Sequence, residues 1–307
     1  MKKIAVIGSG AVGCYYGGML ASAGREVHFL MRSDLTVVRE NGLKIHSGGR
    51  LVHINPAFAH GCAEEIGPCD LVIIAIKTTA NQELEKLLPP LLGPETTLIT
   101  LQNGLGNEEF LAARWGADRV LGALCYICLN RVAPGGIAHY GEGVTSIGEY
   151  GRAAGPRARA LAEAWAGVGV GTRVVDNLIN ERWRKLVWNI PFNGLSIAAG
   201  GVAVDEILAD AGLRILARQL MGEVLQAAHR LGEEIPESYA DFQIERSFGI
   251  GAYKPSSLID WELKRPLEVE SIWGEPWRRG VAAGATMDRL ETLYRLLHQI
   301  DRKNTRL

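Results

Sequence analysis

Ile4-Ala5-Val6-Ile7 passes directly into Gly8-Ser9-Gly10-Ala11-Val12-Gly13 and then into a segment of helical character, and few folds accept such a beginning. An apolar run bounded by glycine reads as a strand buried on both faces, as in a parallel sheet. Parallel strands need crossover connections, so the chain is directed toward an α/β build. In that context each glycine has a task. The first permits a tight turn, the second lets the backbone approach a pyrophosphate, and the third lets helix and sheet pack closely. The helix N-terminus adds amide N–H groups and the positive end of its dipole. The spacing therefore predicts a dinucleotide site on Gly8, Gly10, Ala11, Val12 and Gly13.

The alternation continues through the first half. A helix reaching Ala23 is followed by "EVHFLM" as a second strand, with Gly24 at the turn. "GLKIHSGGRLVHINPAF" has two alternating runs around Gly48-Gly49 and predicts a hairpin inserted before "DLVIIAIK" resumes the parallel pattern. Further strands are expected at "TTLITLQNG" and "RVLGALCYICL", a second hairpin at "RVAPGGIAHYGEGVTSIGE", a helix from Pro156 and a last strand near "TRVVD". From Asn177 onward the chain shows long helical periodicities, including "LINERWRKLVWN" and "GLRILARQLMGEVLQAAHRLG", with almost no strand signal. The expected organisation is an α/β N-terminal Rossmann-type domain with a mostly parallel sheet, residues 1–176, followed by an all-α C-terminal domain, residues 177–307.

Composition removes several classes of function. With 47% hydrophobic and 22% charged residues and a net charge of -1, the chain carries no basic surplus for nucleic acid or an anionic membrane. No stretch approaches the roughly 18 apolar residues of a membrane span, and the first apolar run is too short for a signal peptide, so a cytoplasmic protein is expected. Five cysteines are an odd number in a chain of 307 residues, which argues against a disulfide framework. Cys125 and Cys128 have the spacing of a metal or redox pair. They lie in an apolar strand-like run where positions three apart face opposite ways, and the seven histidines are scattered, so no metal site is expected.

The second strand bears on cofactor choice. Arg32 stands where an enzyme using NAD usually carries an acidic residue for the ribose 2'-hydroxyl, and an arginine suits the 2'-phosphate of NADP. Asp34, two residues later, leaves a competing assignment open. Lys77 and Gln102-Asn103-Gly104 are expected at the carboxyl ends of parallel strands, the edge where such sheets bind ligands. Lys185, Asn189 and Asn193 fall at i, i+4 and i+8 and form one stripe of a helix, among Leu186, Val187, Trp188, Ile190 and Phe192. Amides and an amine are costly to bury there without a task. Pro191 cannot donate to the carbonyl of Val187 and predicts a kink.

Taken together, "IAVIGSGAVG", "IKT", "LQNG", "PGGIAHYGEG", "WRKLVWNIPFN" and "KPSSLIDWELKRPLEVESIWG" resemble the ketopantoate reductases over almost the whole chain. The resemblance implies reduction of the 2-keto group of ketopantoate to pantoate with NADPH, on the route to pantothenate and coenzyme A. It also implies roles. Lys185 falls on the general acid and Glu268 on the active-site glutamate that holds the lysine and also borders the cofactor; Asn189, Asn193 and Ser256 fall on substrate-binding positions, and Lys77 and Asn103 on positions lining the cofactor and substrate cleft. Glu268 would begin an acid-rich helix. Ser256 is followed by Ser257, which leaves the register of that contact open by one residue. Phe192 and Trp273-Gly274 depart from the family pattern near the expected substrate pocket. Another branched 2-keto acid therefore remains an alternative substrate, and a nucleotide-sensing binding protein without turnover an alternative function. A homodimer is expected from the apolar helical half with its tryptophans at 261, 273 and 277.

Overall fold

The computed structural model describes residues 1–305. The chain forms two compact units, Met1–Gln102 with Asn107–Leu178 and Asn103–Gly106 with Ile179–Leu307.

In the first unit the elements run β1 (Lys3–Ile7), α1 (Ala11–Ser22), β2 (Glu26–Leu30), α2 (Leu35–Asn41), β3 (Leu43–Ser47), β4 (Arg50–Ile54), β5 (Phe58–His60), β6 (Cys69–Ile74), α3 (Leu84–Leu87), β7 (Leu92–Thr100), α4 (Asn107–Trp115), β8 (Val120–Ala133), β9 (Gly136–Glu149), α5 (Pro156–Ala166) and β10 (Gly171–Val174). The strands form one sheet in the order β4-β3-β9-β8-β7-β6-β1-β2-β5, with β10 on β9. Among the described residues, only the β3/β4 and β8/β9 pairs are antiparallel. The chain leaves β1 for β2 on one side and returns to β6 on the other, so β1 is the switch point at which open sheets of this kind bind ligands. Both faces of β1 are covered. Ile4 and Val6 enter one core with Tyr16, Leu20 and Phe29, while Ala5 and Ile7 enter another with Val72, Leu84 and Leu111. That is why the strand reads as an unbroken apolar run.

Several boundaries differ from the sequence expectation. The strand in "DLVIIAIK" ends at Ile74, and Lys77 instead precedes a 3-10 turn over Thr78–Glu83. The strand in "TTLITLQNG" ends at Thr100. The strand and hairpin expected at "RVLGALCYICL" and beyond are a single long hairpin, β8 with β9, whose register shifts between Tyr126 and Cys128. Among the described residues, the five cysteines form no disulfide.

The second unit is helical: α6 (Leu178–Ala198), α7 (Val204–Ala209), α8 (Ala211–Arg230), α9 (Ser238–Ser247), α10 (Ser256–Glu262), a π-helical turn at Glu270–Gly274, α11 (Glu275–Ala282) and α12 (Asp288–Asn304). Its core gathers Trp183, Leu186, Val187 and Ile190 of α6 with residues of α7, α8 and α12. The α6 helix runs through Pro191 to Ala198, and the carbonyl of the preceding residue, Ile190, accepts from Trp273 Nε1 at 2.9 Å. Trp273 is fully buried, and the partly buried Trp261 and Trp277 pack against the same core. Among the described residues, no helix is long and apolar enough to cross a membrane.

Candidate active site

The glycine loop lies between β1 and α1. Gly8 has φ +96°, and a Cβ there would stand 2.3 Å from the backbone nitrogen of Ile76. Only glycine fits, and the loop is thereby pressed against the segment just before Lys77. At Gly13 a Cβ would meet the Gly8 carbonyl oxygen at 2.2 Å, so the helix can start where it does only without a side chain. Gly10 is different. Its φ of -80° suits any residue, and a Cβ there would meet nothing within 4 Å. Nothing among the described residues requires glycine at position 10. No side chain caps α1 at that residue either, so its first amides have no side-chain partner at the cap. This arrangement fits the close approach of a pyrophosphate to Gly10, Ala11, Val12 and Gly13. Ser9 fastens the loop from behind by donating to the Leu30 carbonyl at 2.8 Å.

The loop after β2 places its two charges differently. Asp34 is buried. It accepts from the Gly135 backbone N–H at 3.0 Å and from the Ser33 hydroxyl at 3.0 Å, and it pairs with Arg131. Arg32 is exposed, and no ion pair holds it among the described residues. A partly buried amide network sets the loops after β6 and β7: Gln102 Nε2 donates to the Ile76 carbonyl at 3.0 Å and to Asn81 Oδ1 at 2.7 Å, and Asn81 Nδ2 donates to Asn107 Oδ1 at 3.1 Å. Sequence reasoning passed over Asn81 and Asn107, because no local pattern distinguishes a network amide from a loop amide.

In the second unit, α6 carries Lys185, Asn189 and Asn193 on one face, as the spacing requires. Lys185 Nζ donates to Asn103 Oδ1 at 2.9 Å. Asn103 reaches that position through its neighbours. Gly104 has φ +84°, and a Cβ there would meet the Ser271 carbonyl oxygen at 2.2 Å, while the Leu105 N–H donates to that same oxygen at 2.9 Å. The acceptor belongs to the π-helical turn, whose wider winding offers carbonyls outside the usual helical pattern. Glu268, buried at 6% exposure, stands two residues before that turn. Asn193 Oδ1 accepts the Ser257 backbone N–H at 3.0 Å and so holds the start of α10. Of the two serines, Ser256 is exposed and Ser257 is buried. Phe192 and Trp273, expected from sequence near a substrate pocket, are fully buried in the helical core, with Phe192 4.9 Å from the Trp188 ring.

A switch-point glycine loop on a mostly parallel sheet, followed by a helical unit bearing a lysine held by an amide, is the build of a dinucleotide-dependent oxidoreductase. The family described as ketopantoate reductase PanE/ApbA matches residues 4–152, and its C-terminal model matches residues 177–301. A 2-dehydropantoate 2-reductase of Nostoc sp. is 36% identical over 99% of this chain and 96% of its own. The crystal structure of 2-dehydropantoate 2-reductase from Geobacter metallireducens superposes with a TM-score of 0.94 at 42% identity, covering 97% of this chain and 99% of that one. A D-mandelate dehydrogenase solved with NADH and anilino(oxo)acetate shares the fold, with a TM-score of 0.88 at 22% identity over 98% of this chain and 99% of its own. The chain belongs to the ketopantoate reductase family.

Proposed function

We propose that this protein reduces ketopantoate to pantoate with NADPH, with Lys185 as the general acid, in the supply of pantothenate and coenzyme A. The observation that carries the reading is the Lys185–Asn103 hydrogen bond of 2.9 Å beside the Asn189–Asn193 face of α6, in a chain of this family. In the first unit, Gly8, Gly10, Ala11, Val12 and Gly13 hold the pyrophosphate, exposed Arg32 takes the 2'-phosphate and Lys77 lies at the same end of the sheet. NADPH supplies the hydride that reaches the keto carbon.

The work of the second unit is to orient the keto acid and to move one proton. Charge develops on the keto oxygen as its carbon accepts the hydride, and the Lys185 ammonium stabilises that charge and delivers the proton, leaving the alcohol. Asn103 fixes the ammonium by accepting from it. Asn189 and Ser256 bind the polar end of the substrate, and Asn193 positions Ser256 by holding the next residue's N–H. Glu268 holds the lysine side of the site.

The test is NADPH oxidation with ketopantoate and a panel of 2-keto acids, for wild type and Lys185→Ala. The variant is expected to bind NADPH normally and to lose about a hundredfold or more in kcat, the usual contribution of a positioned acid. The fall of wild-type activity at high pH should be absent from the variant. A variant turning over at near the wild-type rate would remove the mechanism.

A further inference from the structure

Asp34 is the one acidic residue in the connection from β2 to α2, Met31 to Asp34, and it lies two residues from Arg32. Two residues span at most about 7 Å, so a free carboxylate here would share the neighbourhood of any phosphate that Arg32 binds. The structure withdraws that carboxylate. Asp34 is 6% exposed, and each of its oxygens is engaged, one by the Gly135 N–H and the other by Ser33 Oγ and Arg131. Arg131 comes from β8 and Gly135 from the turn between β8 and β9, about a hundred residues away along the chain. The Gly135 carbonyl in turn accepts from Lys44 N at 2.8 Å, which ties this turn to β3. The pair is also close enough to the glycine loop to act on it electrostatically. Burial pushes the Cys14 thiol, in the first turn of α1, up to about 12, with the Asp34 charge adding to the rise and Arg131 opposing it.

We propose that Arg131 determines cofactor choice without touching the cofactor: it neutralises and retains the Asp34 carboxylate, so that a 2'-phosphate meets Arg32 and no opposing charge. Arg131 is thus a positioning residue for specificity, and the inference rests on the NADPH reading above. Without Arg131, the Asp34 carboxylate still accepts from Gly135 but carries an uncompensated negative charge beside the phosphate, which selectively penalises NADPH. NADH has no 2'-phosphate and is indifferent to that charge, or gains if Asp34 turns toward the ribose hydroxyls.

The experiment measures dissociation constants for NADPH and NADH, by quenching of protein fluorescence, in wild type, Arg131→Met, Arg131→Lys and the double variant Asp34→Asn/Arg131→Met. Arg131→Met should weaken NADPH about tenfold and change NADH by less than about twofold, as expected for like charges brought together. Arg131→Lys should stay near wild type. The double variant should recover NADPH affinity, because the repelling charge is gone while the side-chain shape remains. If Arg131→Met weakens both cofactors equally, or the double variant does not recover, the proposal is overturned; in the second case Arg131 would be a direct phosphate ligand. The wild-type ratio of the two constants tests the NADPH reading separately, since a preference for NADH would refute that reading whatever Arg131 does. Thermal unfolding of each variant identifies any that fails to fold, and Arg131→Lys then decides through the same ratio.

Discussion

Lys185 and Asn103, separated by 82 positions in the sequence, meet side chain to side chain at 2.9 Å. The contact depends on a break in regular structure at each end of its support. The Asn103–Gly106 segment interrupts the first unit and belongs with the second, and the turn on which it rests is wound as a π-helix. Lysine has a long flexible stem, so an ammonium acting as the proposed general acid benefits from a fixed acceptor. Removing that acceptor should affect turnover more than binding. Asn103→Ala is expected to lower kcat by about tenfold with a smaller rise in the KM for keto acid, because an interaction needed chiefly in the transition state is lost. An unchanged kcat with a raised KM would show Asn103 to be a substrate contact alone.

Gly104 provides a sharper probe of the same support. An alanine Cβ at that position would lie 2.2 Å from the Ser271 carbonyl oxygen, at a φ of +84° that strains any residue with a side chain. Gly104→Ala should therefore push the loop off the π-turn and carry Asn103 away from Lys185. The expected cost is about 1 to 3 kcal/mol of stability, read from urea unfolding, together with a loss of kcat resembling that of Asn103→Ala. NADPH affinity should hold. Normal turnover in a destabilised protein would separate the loop's packing from catalysis.

The glycine loop yields a contrast between two neighbouring substitutions. Gly13→Ala places a methyl 2.2 Å from the Gly8 carbonyl oxygen and should damage the fold itself, lowering Tm. Gly10→Ala places its methyl in open space at an ordinary φ and should leave Tm unchanged. If the open space is where a pyrophosphate lies, Gly10→Ala will still weaken NADPH by about tenfold or more, since like crowding in a well-packed contact is poorly tolerated. Cofactor affinity equal to wild type would move the pyrophosphate elsewhere.

Asn193 separates positioning from contact. Its side-chain carbonyl accepts the Ser257 N–H at 3.0 Å in a buried setting. Asn193→Ala leaves that N–H without its partner and frees the start of α10, where Ser256 stands. A rise in the KM for keto acid is expected, with a loss of about 1 to 3 kcal/mol in stability from the buried unpaired donor. Asn193→Asp keeps the acceptor and should restore much of the stability. If Asn193→Ala changes KM with no loss of stability, the side chain contacts substrate directly.

These residues also mark what the sequence could and could not disclose. The glycine loop and the α6 stripe were legible because each is a local repeat, a strand running into a turn or a spacing of four on one helix face. Their partners were not. Asn103 was placed at a strand end, but nothing near it points to Ser271. The sequence favours Arg32 for a 2'-phosphate yet leaves Asp34 in competition, since the arginine that occupies Asp34 arrives from a distant hairpin. That hairpin itself was read as a strand and a separate turn pair, because the shift in register between Tyr126 and Cys128 breaks the alternation on which the reading depends. Phe192 and Trp273 are expected near the substrate pocket from their neighbours in sequence, and their membership of the helical core with Ile190 and Leu293 is not legible there.

The stability of the first unit should depend on pH through two histidines. His139 shares Nδ1 with the Ser47 hydroxyl at 2.8 Å, while its Nε2 is buried with no partner among the described residues. Protonation would place an unpaired N–H there, and burial accordingly lowers its pKa below 6.5. His60 is lowered chiefly by burial, and also by His28, whose ring nitrogen is 2.9 Å from its own, with Glu65 acting in the opposite direction. In both cases the unfolded chain binds protons more readily than the folded one. As the pH falls through the unfolded value of about 6.5, the unfolded state gains protons first and stability declines; above it the contribution of both groups is fully present. Tm should therefore fall between pH 7 and pH 5.5, before most carboxylates titrate. His139→Gln removes one of the two groups and should flatten that slope without abolishing it. A slope identical to wild type in the variant would show that His139 takes up its proton in the folded protein at no cost.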